Sequence, residues 1–301
     1  MRIVITGATG FVGRRLVEAL RVRGHALSAW VRSPAAAAKT LGPDVALIDA
    51  SGGRPAMTAA IAEADAIVNL AGEPVIGRRW TGGQKQVLRD SRVGVTELIV
   101  DAIAAAPRPR VLVSASAVGF YGDTGAREVD EESPPGSDFL AALCVEWEAA
   151  ALRAERQQTR VCLVRIGLVL GRDGGALKSM LPPFRLGLGG PIGNGEQYFP
   201  WVHLDDLVGI LIAALERDDL HGPLLAVAPG IVTNREFGAA LGHVLHRPAV
   251  LKVPAFALRL ALGDSASALL AGQRATPRRT RALGVSFQYP ELAPALQDLL
   301  G

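Results

Sequence analysis

Six stretches within the first 171 residues are apolar at nearly every position: "RIVITG", "ALSAWVR", "VALID", "AIVNLAG", "RVLVSAS" and "RVCLVRIGLVLG". Strands covered on both faces read this way, whereas a strand with one wet face alternates. Between them, apolar residues recur at helical spacing. In Phe11 to Val22, the residues Val12, Leu16, Ala19 and Leu20 share one face, and Arg14, Arg15 and Glu18 point the other way. Thr81 to Ala105 and Leu140 to Arg156 are predicted as two further helices. Helical connections between buried strands require a parallel sheet. The pattern therefore predicts an α/β fold: a Rossmann-type, doubly wound parallel sheet.

After Gly171 the texture changes. "GGALKSMLPPFRLGLGGPIGNGEQYFPW" is rich in Gly and Pro and shows no alternation of strand and helix. "LLAVAP" reads as one more strand of the sheet and "AVLKVP" as a short strand of the tail. The expected division is a dinucleotide-binding domain over 1–166 with a return segment at about 201–228, and a smaller C-terminal substrate lobe over 167–200 and 229–301. The run "LVGILIAAL" lies between Asp206 and Glu216 and falls well short of the ~20 residues of a membrane span. It is expected as a buried helix.

Composition narrows the class. The 301 residues are 49% hydrophobic and 20% charged, with 32 basic against 29 acidic residues and a net charge of +3. The basic residues are scattered, so neither a nucleic-acid surface nor a membrane partner is expected. Cys144 and Cys162 are too few for a disulfide framework and lack metal-ligand spacing. No metal is expected, and a reducing, cytoplasmic setting is. The expected partner is a small-molecule substrate, the chain being a monomer or homodimer.

Chemistry enters at "ITGATGFVG". Gly7, Gly10 and Gly13 stand directly after the first strand and open the first helix. The first permits the tight turn, the second lets the backbone approach a pyrophosphate, and the third lets helix pack on strand. The helix N-terminus offers unpaired N–H groups to the anion. Thr9, Phe11 and Val12 belong to the same cofactor-binding turn. At the end of the second strand, "AWVRSP" carries Arg32 and Ser33 where NAD-binding chains place an acidic residue. A guanidinium there suits the 2′-phosphate of NADP (NADPH). Leu70, Ala71 and Gly72 end the fourth strand with small surfaces for the adenosine and ribose. Arg165 ends another buried strand, and either binds a cofactor phosphate or closes an ion pair.

With these residues read, the chain resembles the extended, NAD-dependent epimerase/dehydratase-like branch of the short-chain dehydrogenase/reductase superfamily. "TGATGFVG", "SASAVGFYG" and "WVHLDDLVGIL" carry that resemblance. "NLAGEPV", "RWTGGQKQVLRDSRVGVT", "GNGEQYFPWVHLDD" and "GQRATPRRTRALGVSFQYPEL" resemble its atypical, sugar-nucleotide epimerase-like subfamily. The resemblance implies hydride transfer. It also implies a working set of a serine or threonine on the fifth strand, a tyrosine, a lysine, and an asparagine on the fourth helix. Ser114 and Ser116 are available for the first role. Leu140 and Cys144 stand at the tyrosine and lysine places, and Arg92 falls near that of the asparagine. General acid–base help contributes ~10²–10⁴ in rate, so its usual source must be replaced.

Ser114, Tyr121 and Lys85 are the expected catalytic residues. Tyr121 has a packing role as its alternative, and Lys85 that of an exposed helix charge. Glu73, Gln197, Trp201 and His203 are expected at the substrate. Gln197 would supply hydrogen bonds and Trp201 an apolar wall. His203 would act as acid or base, or cap the helix beginning at Asp205 or Asp206. Cys144 lacks a histidine to activate it and reads as a small core residue. The expected function is NADP-dependent reduction, oxidation or epimerisation of a small polar or nucleotide-linked substrate. The alternative is a non-catalytic NADP-binding regulatory or scaffold protein, as the resemblance to plastid relatives linked to organelle division implies.

Overall fold

The computed structural model describes residues 1–106 and 109–301. Its strands are β1 (Arg2–Thr6), β2 (Ala26–Val31), β3 (Val45–Asp49), β4 (Ala66–Asn69), β5 (Val111–Ala117), β6 (Glu128–Val129), β7 (Arg160–Ile166), β8 (Leu168–Gly171), β9 (Trp201–His203), β10 (Gly222–Ala226) and β11 (Arg274–Ala275). Seven of them form one sheet in the order β10-β7-β5-β4-β1-β2-β3. Every pairing in it is parallel. The chain winds outward from β1 to β3, then restarts on the other side at β4. That reversal opens a crevice beyond the carboxyl ends of β1 and β4, where ligands of such sheets bind.

Helices cover both faces. Phe11–Val22 and Leu204–Glu216 bury Leu16, Leu20, Leu207 and Leu211 against Ile3, Ile5, Val68, Val113 and Val164. Gly53–Ala62, Val95–Ala105 and Phe139–Leu152 bury Met57, Ile61, Ile99, Ile103 and Ala151 against Ile67, Leu112 and Leu163. Each fully buried Leu or Ile contributes about 1.5–3 kcal/mol relative to exposure. The strand period of two decides the faces. A second core joins Leu177, Leu181, Phe184, Trp201, Leu241 and Leu296 beneath the stacked rings of Phe199 and Phe237, whose centroids are 4.1 Å apart.

Four sequence expectations need correction. "RVCLVRIGLVLG" is not one strand: β7 ends at Ile166 and β8 pairs separately with β9. The break is Gly167, where a Cβ would collide with the Pro200 carbonyl. "AVLKVP" forms only a single bridge, Val253 to Ile192. Pro248 and Pro254 bracket it, and its amides bond the irregular loop at Gly189 and Pro191. The long helix expected from Thr81 is Gly82–Arg89 and Val95–Ala105, joined through a π-turn at Asp90–Gly94. "LLAVAP" contributes β10, which starts two residues early, at Gly222, and stops at Ala226.

Two buried carboxylates fasten the tail. Glu131 accepts from Arg279 N, Thr280 N and Thr280 Oγ1 at 2.7–3.0 Å. Asp206 accepts from Gln288 N and Tyr289 N at 2.6 and 3.0 Å.

Candidate cofactor and active site

The glycine turn sits in the crevice between β1 and β4. Gly7 has φ +70°, and a Cβ on it would lie 2.5 Å from Leu70 O. A Cβ on Gly13 would strike Gly7 O, with Ala8 Cα at 2.8 Å. Gly10 is the N-cap of Phe11–Val22, and no side chain closes that end. The first helical bond runs from Arg14 N to Gly10 O at 3.0 Å. The amides of Phe11, Val12 and Gly13 therefore precede the first turn's acceptors and are free for an anion. Thr9 and Gly10 are exposed at the lip. The residues present thus fit a pyrophosphate: glycines hold the turn close against the end of β4 and the first helix, and the free amides face outward from the open helix end.

The Phe11 ring points away from that anion site. Its atoms fill a notch formed by Gly171, Gly174 and Gly175, where any Cβ would collide with the ring. This contact joins the phosphate turn to β8 and the start of Gly175–Arg185.

Arg32, at the end of β2, has a side chain 87% exposed, and its Nη1 lies 2.8 Å from Glu73 Oε1. Beside it Ser33 caps Pro34–Leu41, its hydroxyl making no cap bond. An exposed pair of this kind contributes at most ~1 kcal/mol, so Arg32 is free to exchange Glu73 for a stronger anion. Glu73, expected at the substrate, is engaged by Arg32 through its carboxylate and by Arg92 through its carbonyl. Leu70, Ala71 and Gly72 run from β4 along the crevice, with Leu70 N bonded to Thr6 O at 3.2 Å.

Behind the crevice, cross-strand neighbours form a buried polar layer. Thr6, Asn69 and Ser114 are in register across β1, β4 and β5, as are Ser116 and Arg165 across β5 and β7. Asn69 accepts from Thr6 Oγ1 at 2.6 Å and donates to Thr96 Oγ1 at 2.8 Å and Ser114 Oγ at 3.4 Å. Ser114 is completely buried. It sits on the face covered by Val95–Ala105 and Phe139–Leu152, where its hydroxyl accepts from Asn69 beneath the end of β4.

Arg165 and Tyr121 meet in one buried network. Arg165 makes a two-pronged contact with Glu148, Nε to Oε1 and Nη2 to Oε2, both at 2.9 Å. It also donates to Tyr121 Oη at 2.9 Å and Glu131 O at 3.0 Å, and lies 3.5 Å from the centre of the Phe120 ring. Ser116 Oγ donates to Glu148 at 2.6 Å. Burial works against the guanidinium's charge, but Glu148 and Tyr121 outweigh it and raise its pKa. Arg165 is thus an interior ion pair and does not face a cofactor phosphate. The Tyr121 ring is 1% exposed. Burial, opposed by the Arg165 charge, pushes the phenol up to about 12. Its hydroxyl is held in this interior network by Arg165.

The substrate candidates divide. Trp201 is buried, its indole N–H donating to Gly230 O at 3.0 Å, so it is core and not a substrate wall. His203 is also buried; its Nδ1 accepts from Asp205 N at 3.1 Å, capping Leu204–Glu216. Its ring packs on Tyr289 with centroids 4.0 Å apart, and Nε2 is 3.3 Å from Asp298 Oδ2 without hydrogen-bonding geometry. The capping alternative holds, and substrate contact is withdrawn. Gln197 is half-buried and donates to Ile192 O at 3.1 Å and Leu269 O at 3.3 Å, stapling the glycine-rich loop to the tail. Lys85 reaches Asp264 at 3.5 Å and lies 5.2 Å from the centre of the Phe139 ring. Among the described residues no three potential ligand side chains gather around a metal position.

Residues 3–227 match the NAD dependent epimerase/dehydratase family, and residues 253–299 match a domain of unknown function, DUF1731. The chain belongs to the epimerase/dehydratase family. It is 44% identical over 307 residues to the epimerase family protein SDR39U1 of Bos taurus, with both chains covered completely. It is 42% identical to the chloroplastic SDR39U1 homolog of Arabidopsis thaliana, covering 100% of this chain and 87% of the relative. The crystal structure of human SDR39U1, isoform 2, with NADPH superposes with a TM-score of 0.89 at 40% identity, covering 100% of this chain and 99% of that one.

Within this epimerase/dehydratase family member, the places expected for tyrosine and lysine are apolar. Leu140 and Cys144, on Phe139–Leu152, pack over Gly119, whose Cβ would lie 3.4 Å from Leu140 Cβ and 4.0 Å from Cys144 Sγ. Burial pushes the Cys144 thiol up to about 12 and that of Cys162 to about 11, from 9.0. The folded chain therefore keeps both protons after the unfolded chain starts to lose them. Stability should be unaffected by either thiol below pH 9 and should fall as pH rises from 9 towards 12. Urea midpoints measured across that range should decline less steeply in Cys144→Ala; an identical decline would contradict the burial.

Proposed function

We propose that the chain binds NADPH in the crevice and mediates hydride transfer to or from a small polar or nucleotide-linked substrate held by residues 167–200 and 229–301. The observation that carries this reading is the glycine cradle at the open helix end, with the exposed Arg32 and Ser33 at its far edge. The NADPH in the similar human structure supports it.

In this reading the amides of Phe11, Val12 and Gly13 meet the pyrophosphate. Arg32 and Ser33 take the 2′-phosphate, with Arg32 released from Glu73. When bound, the nicotinamide supplies or accepts the hydride. Leu140 and Cys144 present an apolar wall that excludes water. Of the three residues expected to do chemistry, only Lys85 has its polar atom outside the sheet's interior. A second reading, an NADP-binding protein without catalysis, rests on the apolar Leu140–Cys144 pair and the burial of Ser114 and Tyr121.

NADPH should raise the melting temperature more than NADH does, and Arg32→Ala should erase the difference. The charge-assisted contact contributes ~1.5–3 kcal/mol, roughly ten- to a hundredfold in affinity. Equal shifts with both cofactors in the native protein would overturn the assignment. NADPH oxidation, followed across carbonyl compounds and nucleotide sugars, then separates the two readings: turnover supports hydride transfer, and tight binding with none across the panel supports the second.

A further inference from the structure

We propose that Arg92 is the anion-binding residue of the substrate site, its guanidinium receiving a carboxylate of the substrate beside the nicotinamide. The proposal rests on the NADPH reading of the crevice and adds a substrate class to it.

Arg92 lies in the π-turn Asp90–Gly94. Such turns interrupt helices frequently at functional sites. The polar layer under the crevice holds this one: Thr96 Oγ1 donates to Arg92 O at 2.7 Å and accepts from Asn69 Nδ2 and Trp147 Nε1 at 2.8 and 2.9 Å. Asn69 is tied in turn to Thr6. The backbone of Arg92 is thereby fixed to the ends of β1 and β4.

The side chain reaches the crevice edge. Nη2 donates to Glu73 O at 2.9 Å, and Nη1 reaches Leu88 O at 3.3 Å and Ser91 Oγ at 3.4 Å. The guanidinium lies 5.5 Å from the centre of the Trp147 ring. A guanidinium has five N–H donors. Nε–H and one Nη2 hydrogen have no partner among the described residues. No carboxylate pairs with Arg92 among those residues either, because Glu73 turns its own to Arg32. A partly buried cation without a counterion is costly to keep. Burial, offset in part by Cys144 and Glu73, lowers its pKa, yet a guanidinium stays charged at neutral pH.

Gly72 leaves the face of the Arg92 guanidinium open. A Cβ on this exposed residue would lie 3.1 Å from Arg92 Cζ and 3.5 Å from Nε. With no side chain there, one face of the guanidinium stays uncovered, and its free Nε–H and Nη2–H are the donors that match the two oxygens of a carboxylate. Trp147, whose ring faces the guanidinium, lies on Phe139–Leu152, the helix that carries the places expected for tyrosine and lysine, whereas the pyrophosphate cradle belongs to Phe11–Val22. The cation thus stands on that helix's side of the crevice, the side taken by the nicotinamide in this reading.

The test uses oxalate as a carboxylate probe and oxamide as its neutral counterpart, titrated into the NADPH complex and followed by cofactor fluorescence. NADPH affinity is measured separately for the native protein, Arg92→Gln and Arg92→Lys. Expected are oxalate binding without oxamide binding, a loss of tenfold or more in Arg92→Gln, a loss of only a few-fold in Arg92→Lys, and NADPH affinities within threefold of one another. If oxalate fails to bind the native complex, or binds Arg92→Gln equally well, the proposal is wrong. A tenfold loss of NADPH affinity in Arg92→Gln would also overturn it, by assigning the guanidinium to the cofactor's own phosphates. Failure of the native protein to bind NADPH would instead sink the underlying reading of the crevice.

Discussion

Arg165→Met should lower the free energy of unfolding by about 3–5 kcal/mol, the cost of leaving one charge of a buried pair without its partner. The stranded charge is Glu148, whose two oxygens keep only Ser116 Oγ at 2.6 Å once the guanidinium is gone. Tyr121 Oη loses its donor in the same step. The double variant Arg165→Met, Glu148→Leu should recover much of the loss, because it removes both charges from an apolar setting. Urea unfolding of the native, single and double variants checks this. At a temperature where the single variant is folded, its NADPH affinity should stay within about threefold of the native value. A large loss there, with stability unchanged, would return Arg165 to the phosphate site.

The second large effect is expected at Gly13. Gly13→Ala drives a Cβ into Gly7 O, and backbone on both sides leaves no flexible group to yield. The turn must then move away from the helix end whose free amides it presents. NADPH affinity should fall by ~100-fold or more, about 2.7 kcal/mol. The control is Gly209→Ala within Leu204–Glu216, where nothing lies within 4 Å of the new Cβ. It should leave NADPH binding unchanged and raise stability by ~0.5–1 kcal/mol through helix propensity. Isothermal titration of the three proteins reads the affinities and urea unfolding the stability, and native-like binding by Gly13→Ala would remove the glycine turn from the cofactor site.

These effects differ in how far the sequence disclosed them. The glycine turn is a local device: β1, Gly7, Gly10, Gly13 and the helix after them are contiguous, and the collisions that make the glycines necessary involve the turn itself and the end of β4. The buried pair joins Arg165 to Glu148 and Tyr121 from three different elements. The sequence reading left Arg165 between a phosphate and an ion pair because both end a buried strand equally well. Arg92 was noted only for its place near an expected asparagine. Its open face and unpaired donors depend on Gly72, Glu73 and a π-turn that helical spacing does not announce.

The sequence by itself determined the parallel sheet, the helices that cover it, the glycine cradle and the arginine at its edge. Each is set by apolar periodicity or turn geometry within a dozen or so contiguous residues. Only the tertiary structure decided which polar groups meet the crevice. Adjacent strand positions point to opposite faces, and the crossovers determine what covers each face. Ser114, Ser116 and Arg165 share the face that Val95–Ala105 and Phe139–Leu152 bury, so groups that read as reactive along the chain became the sheet's interior hydrogen-bonding layer. Trp201 and His203 were drawn inward in the same way, by Gly230 and by the helix start at Asp205. Partners so distant along the chain leave no periodicity to read; packing alone brings them together.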